Sequence, residues 1–359
     1  MLLCKFRGEP DREGDGMEVK IPSFVYIQRG AFGKLKKVLE KIGSENPIIV
    51  TDPVVSEILK DRISGLGIEK ILVNEASILE ARRVVLSLSY SDVDAIIGIG
   101  GGKVLDVSKV VASELNVPFL SVPTTASHDG IASPVASFKE GGKPVSITTK
   151  APIAVIADLE IIESCPRRLI HSGFGDLISN ITAVKDWRLS RDLTGESYNE
   201  VAASIATIPA YLLIAKANGE FDLIKDLELL LRGLIMSGVA IAMVGSSRPA
   251  SGAEHKFSHA LDYLGYGNAT HGEQVGLGTI IFEFMYEEKY GDGDWKAVRS
   301  ALKKAGAPVR LSEVGITKDQ AIEALMFAKK IRRKRFTILE ATDPKKEDFE
   351  RVLRETEIL

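Results

Sequence analysis

The sequence predicts an α/β half followed by an all-helical half, and three observations carry that reading. Strand-like apolar runs alternate with amphipathic stretches from residue 48 onward, the rhythm of a parallel sheet covered by helices. The strand signals stop after Cys165 and Pro166. Beyond them, long segments rich in Ala, Leu, Ile and Glu run to the C-terminus.

The strands are PIIVTD, KILVNE, DAIIGIG, PFLSVP and PIAVIAD. ILVNEAS and DAIIGIGGG flank SILEARRVVLSLSYS, which has helical spacing. Between PFLSVP and PIAVIAD, the stretch ASPVASFKEGGKPVSITTK alternates and turns at Gly141 and Gly142, which reads as a hairpin. The boundary falls between residues 163 and 168, giving an α/β domain over 17–165 and a helical domain over 166–359, with a ligand cleft expected between them. Residues 1–16 read as an extension ahead of a start at Met17.

Composition narrows the function. Of 359 residues, 45% are apolar and 26% charged, the balance of a globular enzyme. A net charge of -3 provides no basic face for nucleic acid, so small molecules are the expected partners. Cys4 and Cys165 form no CxxC pair, which fits a reducing, cytoplasmic setting. No signal-peptide core opens the chain. GLIMSGVAIAMVG at 233–245 falls short of the roughly 20 residues a bilayer span needs and reads as a buried helix. The basic run KKIRRKR at 329–335 reads as the solvated end of a helix.

Gly100, Gly101 and Gly102 lie between a buried strand and a helix in DAIIGIGGGKVLDVSK. Glycines admit a phosphate to the backbone, and a helix N-terminus offers free N–H groups. The turn lacks the GxGxxG spacing, and an ordinary tight turn is its competitor. The next strand ends in VPTTASHDGIASP, whose Thr124, Thr125 and Ser127 emerge at the same sheet edge and can bond a nicotinamide or ribose. Asp52 ends PIIVTD as an acceptor for an adenosine ribose, with an Asx turn before Pro53 as the alternative.

Three of the five histidines cluster in SSRPASGAEHKFSHALDYLGYGNATHGEQVGLG. His255 and His259 share a helical face, the spacing of paired zinc ligands. His271 lies in an apparent capping box, Thr270 to Glu273, where a helix N-terminus favours a neutral imidazole. Asp176, after Gly173 and Gly175, reads as the head of a long helix and supplies either a third ligand or an N-cap. Spacing leaves open whether His255 or His259 is the ligand. Should the substrate carry a phosphate, Arg248, with Ser246 and Ser247 just ahead of this helix, is its candidate donor, with a capping or surface role as the rival.

GGGKVLDVSK, VPTTASHDGIASP, FGDLISN, SSRPASGAEHKFSHALD, THGEQVGLG and RFTILE together resemble the family that joins glycerol dehydrogenase, the iron-dependent alcohol dehydrogenases and dehydroquinate synthase. The likeness runs from about residue 20 to 345 and is strongest to the branch acting on a glycerol phosphate. It implies a Rossmann-like, dehydroquinate synthase-like fold. It further implies Zn2+ on Asp176, His255 and His271, with His259 turned toward substrate as a catalytic group and Asp129 in contact with substrate. Asp176 also borders the substrate. Gly101, Gly102, Lys103, Val104, Leu105, Asp106, Thr124, Thr125, Ala126, Ser127 and Ser133 are implied to bind NAD(H) or NADP(H).

The expected reaction is reduction of dihydroxyacetone phosphate to sn-glycerol 1-phosphate, a precursor of archaeal phospholipids, by a homo-oligomer without a membrane span. Its rivals are a glycerol dehydrogenase acting on the unphosphorylated polyol, a dehydroquinate synthase-type lyase, and a non-catalytic dinucleotide sensor. Dehydroquinate synthases present a glutamate where this chain has Asp176, which counts against the lyase.

Overall fold

The computed structural model describes residues 19–140 and 143–359. The expected extension over 1–16, the start at Met17, Cys4 and the Gly141–Gly142 turn lie outside them. The strands are β1 (Phe24–Gln28), β2 (Pro47–Thr51), β3 (Lys70–Leu72), β4 (Ala95–Gly100), β5 (Phe119–Pro123), β6 (Val135–Glu140), β7 (Lys143–Thr148) and β8 (Ala154–Asp158). Among them run α1 (Leu35–Ile42), α2 (Pro53–Ile58), α3 (Lys60–Ser64), α4 (Ile78–Ser87) and α5 (Gly102–Glu114), and α6 (Leu159–Glu163) follows. The long helices are α7 (Arg167–Thr194), α8 (Glu200–Asn218), α9 (Leu227–Val244), α10 (Ala253–Leu264) and α11 (His271–Tyr290). The chain ends with α12 (Trp295–Ala305), α13 (Lys318–Ala328), α14 (Ile338–Thr342) and α15 (Lys346–Glu355).

Six strands form one parallel sheet in the order β1-β8-β5-β4-β2-β3, and β6 pairs antiparallel with β7 as the expected hairpin. The chain runs outward from β2 to β3, then crosses back to β4 on the other side of β2. The order therefore reverses between β2 and β4, and open α/β sheets bind ligands outside the strand ends at such a point. Asp52 follows one of these strands and the glycine loop follows the other.

Alternate residues enter different cores, as strand geometry requires. Ile48, Val50 and Ile96 pack into a core shared with α4, α5 and the helical half, whereas Ile49, Ile97 and Ile99 pack into a smaller one with α1 and α3. β4 is buried along its whole length. The strand β1 was not expected as a separate element. It pairs with β8, the last strand, Phe24 opposite Ala154, and Asp158 fastens the junction by accepting from the N–H of Gly30 at 3.1 Å and of Phe32 at 3.0 Å.

In the helical half α7 runs for 28 residues, buried on nearly all sides from Ile170 to Trp187. Two close approaches set its place. A Cβ on Gly173 would lie 1.7 Å from the Ala126 carbonyl oxygen, and one on Gly272 of α11 would lie 1.7 Å from that of Ser172. Only hydrogen fits at either crossing. The helices α8 and α9 are long and apolar enough to cross a membrane by length and composition alone. They pack on one another and on α7, and the run at 233–245 forms most of the largely buried α9.

Candidate active site

The donor cluster assembles from three helices. Asp176 lies inside α7, nine residues past its start at Arg167, so it is neither the head of that helix nor an N-cap. His255 projects from α10, and His271 opens α11 behind the expected capping box of Thr270 and Glu273. The close crossing at Gly272 brings Asp176 beside His271. One donor atom from each of Asp176, His255 and His271 lies within 4.8 Å of the others.

The bonds behind these donors aim them. His255 Nδ1 meets Glu254 Oε1 at 2.9 Å, and His271 Nδ1 meets Ser258 Oγ at 3.1 Å, which leaves Nε2 of each ring free. His271 Nε2 stands 3.7 Å from Asp176 Oδ1, while Asp176 Oδ2 accepts from the Asp129 N–H at 2.9 Å. Carboxylate or hydroxyl partners on the outer ring nitrogen are the usual support of a metal-binding imidazole. Burial, with the neighbouring histidines and arginines, holds His255 and His271 well below the ordinary imidazole range, so both rings are neutral. Burial also lifts Asp176 well above the usual carboxylate range, with the charge of Asp129 adding to it. Two neutral imidazoles and a carboxylate that needs a compensating cation fit a divalent metal. With bonds of about 2.0–2.2 Å such an ion would draw the donors slightly inward.

His259 lies one turn beyond His255, its ring centroid 6.4 Å from that of His255 and 6.1 Å from that of His271. Its Nδ1 is buried without a partner, and burial followed by the charge of Arg332 holds it well below the ordinary imidazole range. Asp129 Oδ2 accepts from Ser237 Oγ at 2.8 Å, and burial raises its carboxyl.

A cleft of about 540 Å³ joins these groups to the glycine loop, its wall including Gly102, Lys103, Asp106, Asp129, Ser133, Asp176, His255, His259 and His271. The helix α5 starts at Gly102 with no side-chain cap, so its first amides remain available to an anion. The loop after β5 is tied to it through the Thr124 N–H on the Gly100 carbonyl at 3.0 Å. Thr125 lies against Gly101 and donates to Ser127 Oγ at 3.3 Å. The side chains of Val104, Leu105 and Ala126 are in the core, which leaves only their backbone for a ligand. Asp106 meets Lys109 Nζ and the Ser137 N–H, a tie between α5 and the hairpin. Asp52 caps α2 through the Val55 N–H at 2.9 Å and turns its other oxygen toward Lys103 at 3.7 Å.

Two expectations are corrected. Arg248 is 3% exposed, pairs with Glu196, donates to the Phe336 carbonyl and Ser190 Oγ, and lies outside the wall of the cleft, so it is not placed to meet a substrate phosphate. The basic run 329–335 is not a helix end in solvent: it is a set of turns after α13 in which Arg332 and Arg335 are half-buried and Arg332 lines the cleft. Sequence reading also missed His128, whose ring rests on Gly102 and Gly130 in the cleft wall, and the aiming groups Glu254 and Ser258. Glu254 adjoins His255 in the sequence, and that adjacency was the available signal.

A sheet reversing at a glycine loop, facing an Asp–His–His cluster on packed helices, has the architecture of an alcohol dehydrogenase of the metal-dependent class. Residues 26–166 match the family described as iron-containing alcohol dehydrogenase. The same fold occurs in glycerol dehydrogenase from Schizosaccharomyces pombe, with a TM-score of 0.76 at 20% identity over 96% of this chain and 91% of that one. It occurs also in sulfoacetaldehyde reductase from Bifidobacterium kashiwanohense, solved with NAD+, with a TM-score of 0.71 at 16% identity over 96% and 99% of the chains. The chain belongs to the glycerol-1-phosphate dehydrogenase family: it is 60% identical to the glycerol-1-phosphate dehydrogenase (NAD(P)+) of Archaeoglobus fulgidus, across 94% of this chain and 98% of that protein. The enzyme of the same name from Metallosphaera sedula is 42% identical over 95% and 98% of the two chains.

Proposed function

We propose that this protein reduces dihydroxyacetone phosphate to sn-glycerol 1-phosphate with NADH or NADPH, using zinc, in the supply of phospholipid backbones. The observation that carries the reading is the single cleft holding both the Asp176–His255–His271 cluster and the open N-terminus of α5. A division near residue 165 puts the dinucleotide on the α/β half and the metal on the helical half. The name and near full-length identity of the Archaeoglobus fulgidus relative support the substrate.

Bound in this cleft, zinc supplies a Lewis-acidic charge for the ketone oxygen and the reduced nicotinamide supplies the hydride. Asp176, His255 and His271 hold the metal, and Glu254 and Ser258 keep the two rings aimed. The amides at the start of α5 bind the pyrophosphate, and Thr124, Thr125, Ser127 and Ser133 border the rest of the dinucleotide. Asp129 orients the substrate hydroxyl, fixed by its bond from Ser237. His259, neutral in the resting site, relays a proton to the substrate oxygen as negative charge develops there.

Reduction of dihydroxyacetone phosphate followed by chiral assignment of the product tests the reading; formation of the sn-3 enantiomer overturns it. Equal turnover of unphosphorylated dihydroxyacetone would point instead to a glycerol dehydrogenase, and product formation without net NADH consumption to a lyase. A homo-oligomer is also proposed, supported by the exposed apolar stripe Val201, Ile208 and Leu212 on α8, and light scattering on the purified protein tests it.

A further inference from the structure

With Arg248 occupied elsewhere, a phosphorylated substrate needs another cation; of those in the cleft wall Lys103 faces Asp52 and Lys139 pairs with Asp262, which leaves Arg332. We infer that Arg332 is the phosphate-recognising residue, seated in a polar pocket with Ser146, Ser247 and Ser251. This inference rests on the functional reading above and names the residue through which that site would select a phosphate ester.

Four observations support it. Arg332 has φ 43°, a left-handed backbone conformation in which a long side chain is strained; such strain persists only where the surroundings enforce it. Its side chain lines the cleft that contains His255, His259, His271 and Asp176, and also an adjoining pocket of about 540 Å³ shared with Ser146, Ser247 and Lys330. After burial itself, its positive charge helps to keep His255 and His259 from taking up a proton. Lastly, the guanidinium forms no ion pair among the described residues. It donates from Nη1 to Ser251 Oγ at 3.0 Å and from Nη2 to Ser146 Oγ at 3.1 Å.

A guanidinium has five N–H donors in a planar fork, and these two bonds leave three. The two serines hold the fork in place without neutralising it. A half-buried, unneutralised arginine is an anion site by charge balance, and its fork matches a phosphate in two-point contact. Ser146 lies on β7 and Ser251 lies in the helical half just before α10, so the arginine is held across the cleft. In dihydroxyacetone phosphate one methylene and one ester oxygen separate the carbonyl carbon from phosphorus. A ketone beside the histidine cluster therefore presents its phosphate to the neighbouring part of the same cleft. Arg335 also forms no ion pair among the described residues, but three of its N–H groups go to the Ser247 and Ser251 carbonyls and Ser247 Oγ, and it lines the adjoining pocket and not the cleft of the histidine cluster.

The test uses the zinc- and NADH-loaded enzyme and the ratio of kcat/KM for dihydroxyacetone phosphate to that for dihydroxyacetone. Arg332→Asn keeps a residue that tolerates positive φ, and it is expected to lower the ratio by roughly 100-fold, the scale of a lost charge-assisted contact. Calorimetry with inorganic phosphate should show weaker binding by a similar factor. Arg332→Lys keeps a cation but loses the fork, and an expected fall of roughly ten-fold carries the test alone if the asparagine variant does not fold. A ratio unchanged in the variants, with both specificity constants falling together, makes Arg332 a mere clasp across the cleft and overturns the inference. A wild-type enzyme that does not prefer the phosphorylated ketone overturns the functional reading itself, before any variant is made.

Discussion

At the scale of single residues, the proposed roles divide the histidines by what their loss removes. Asp176→Asn, His255→Ala and His271→Ala should each strip the protein of stoichiometric zinc, read by elemental analysis after gel filtration. His259→Ala should keep the metal and lower kcat by about 100-fold or more, the usual contribution of a proton-transferring group. Glu254→Gln leaves His255 in place but weakens its support, and zinc affinity measured by chelator competition should fall about 10- to 100-fold. Asp186 gives a pH signature. Burial, reinforced by the charge of Glu254, raises its carboxyl to about 7 despite the bonds it accepts from Tyr286, Ile338 and Ala253. The folded state therefore binds a proton that the unfolded chain, with a carboxyl near the ordinary value of 3.8, releases earlier. This contribution to stability is complete below about pH 4 and is lost as pH rises through 7. The unfolding midpoint of the metal-free protein should fall between pH 4 and pH 7, and Asp186→Asn should flatten that slope.

Among the elements, the crossing of α7 with α11 brings the proposed ligands Asp176 and His271 together. Gly272→Ala would place a Cβ 1.7 Å from the Ser172 carbonyl oxygen, and forcing the helices apart should cost about 1–3 kcal/mol. Because His271 is the preceding residue, zinc occupancy should fall with the melting temperature. The helices α10 and α11 were legible because each announces itself locally, one by paired histidines at helical spacing and the other by its capping box. The start of α7 was misread for a physical reason. Gly173 and Gly175 look like punctuation in one dimension, yet in the fold they are close-packing points inside a helix that opens directly after Pro166. The strand β1 escaped notice because it is one five-residue edge strand, half exposed and paired with a partner remote in sequence. Arg248 and Arg332 were exchanged in importance because nothing local distinguishes them. Glu196 neutralises the first, while Ser146 and Ser251, distant in the chain, hold the second in the cleft.

For the whole molecule, a metal held as proposed by Asp176, His255 and His271 would link helices α7, α10 and α11, so binding it should stabilise the folded chain by mass action. Chelation should lower the unfolding temperature and readdition of zinc should restore it, with a shift that grows with free zinc concentration. A shift absent at zinc levels that restore activity would mean that the ion does not bridge these helices. The fold class, the glycine loop and the histidine cluster could be read in advance because each depends on neighbours within a few turns. A cleft between the halves was expected from their boundary, but the residues that line it, Arg332 and His128 among them, depend on chain crossings that no local pattern encodes.

The pairing of β1 with β8 matters for how the chain is made. Among the described residues β1 is the first strand of the sheet to be made, and its sheet partner lies about 130 residues downstream, Phe24 opposite Ala154. At typical elongation rates of about 5–20 residues per second, Phe24 waits on the order of ten seconds for its partner. During that interval β2, β3, β4 and β5 can assemble, while Tyr26 and Ile27 remain without their sheet neighbour. Completion of the α/β half is thus timed by the synthesis of Asp158, whose carboxylate holds the returning strand in place.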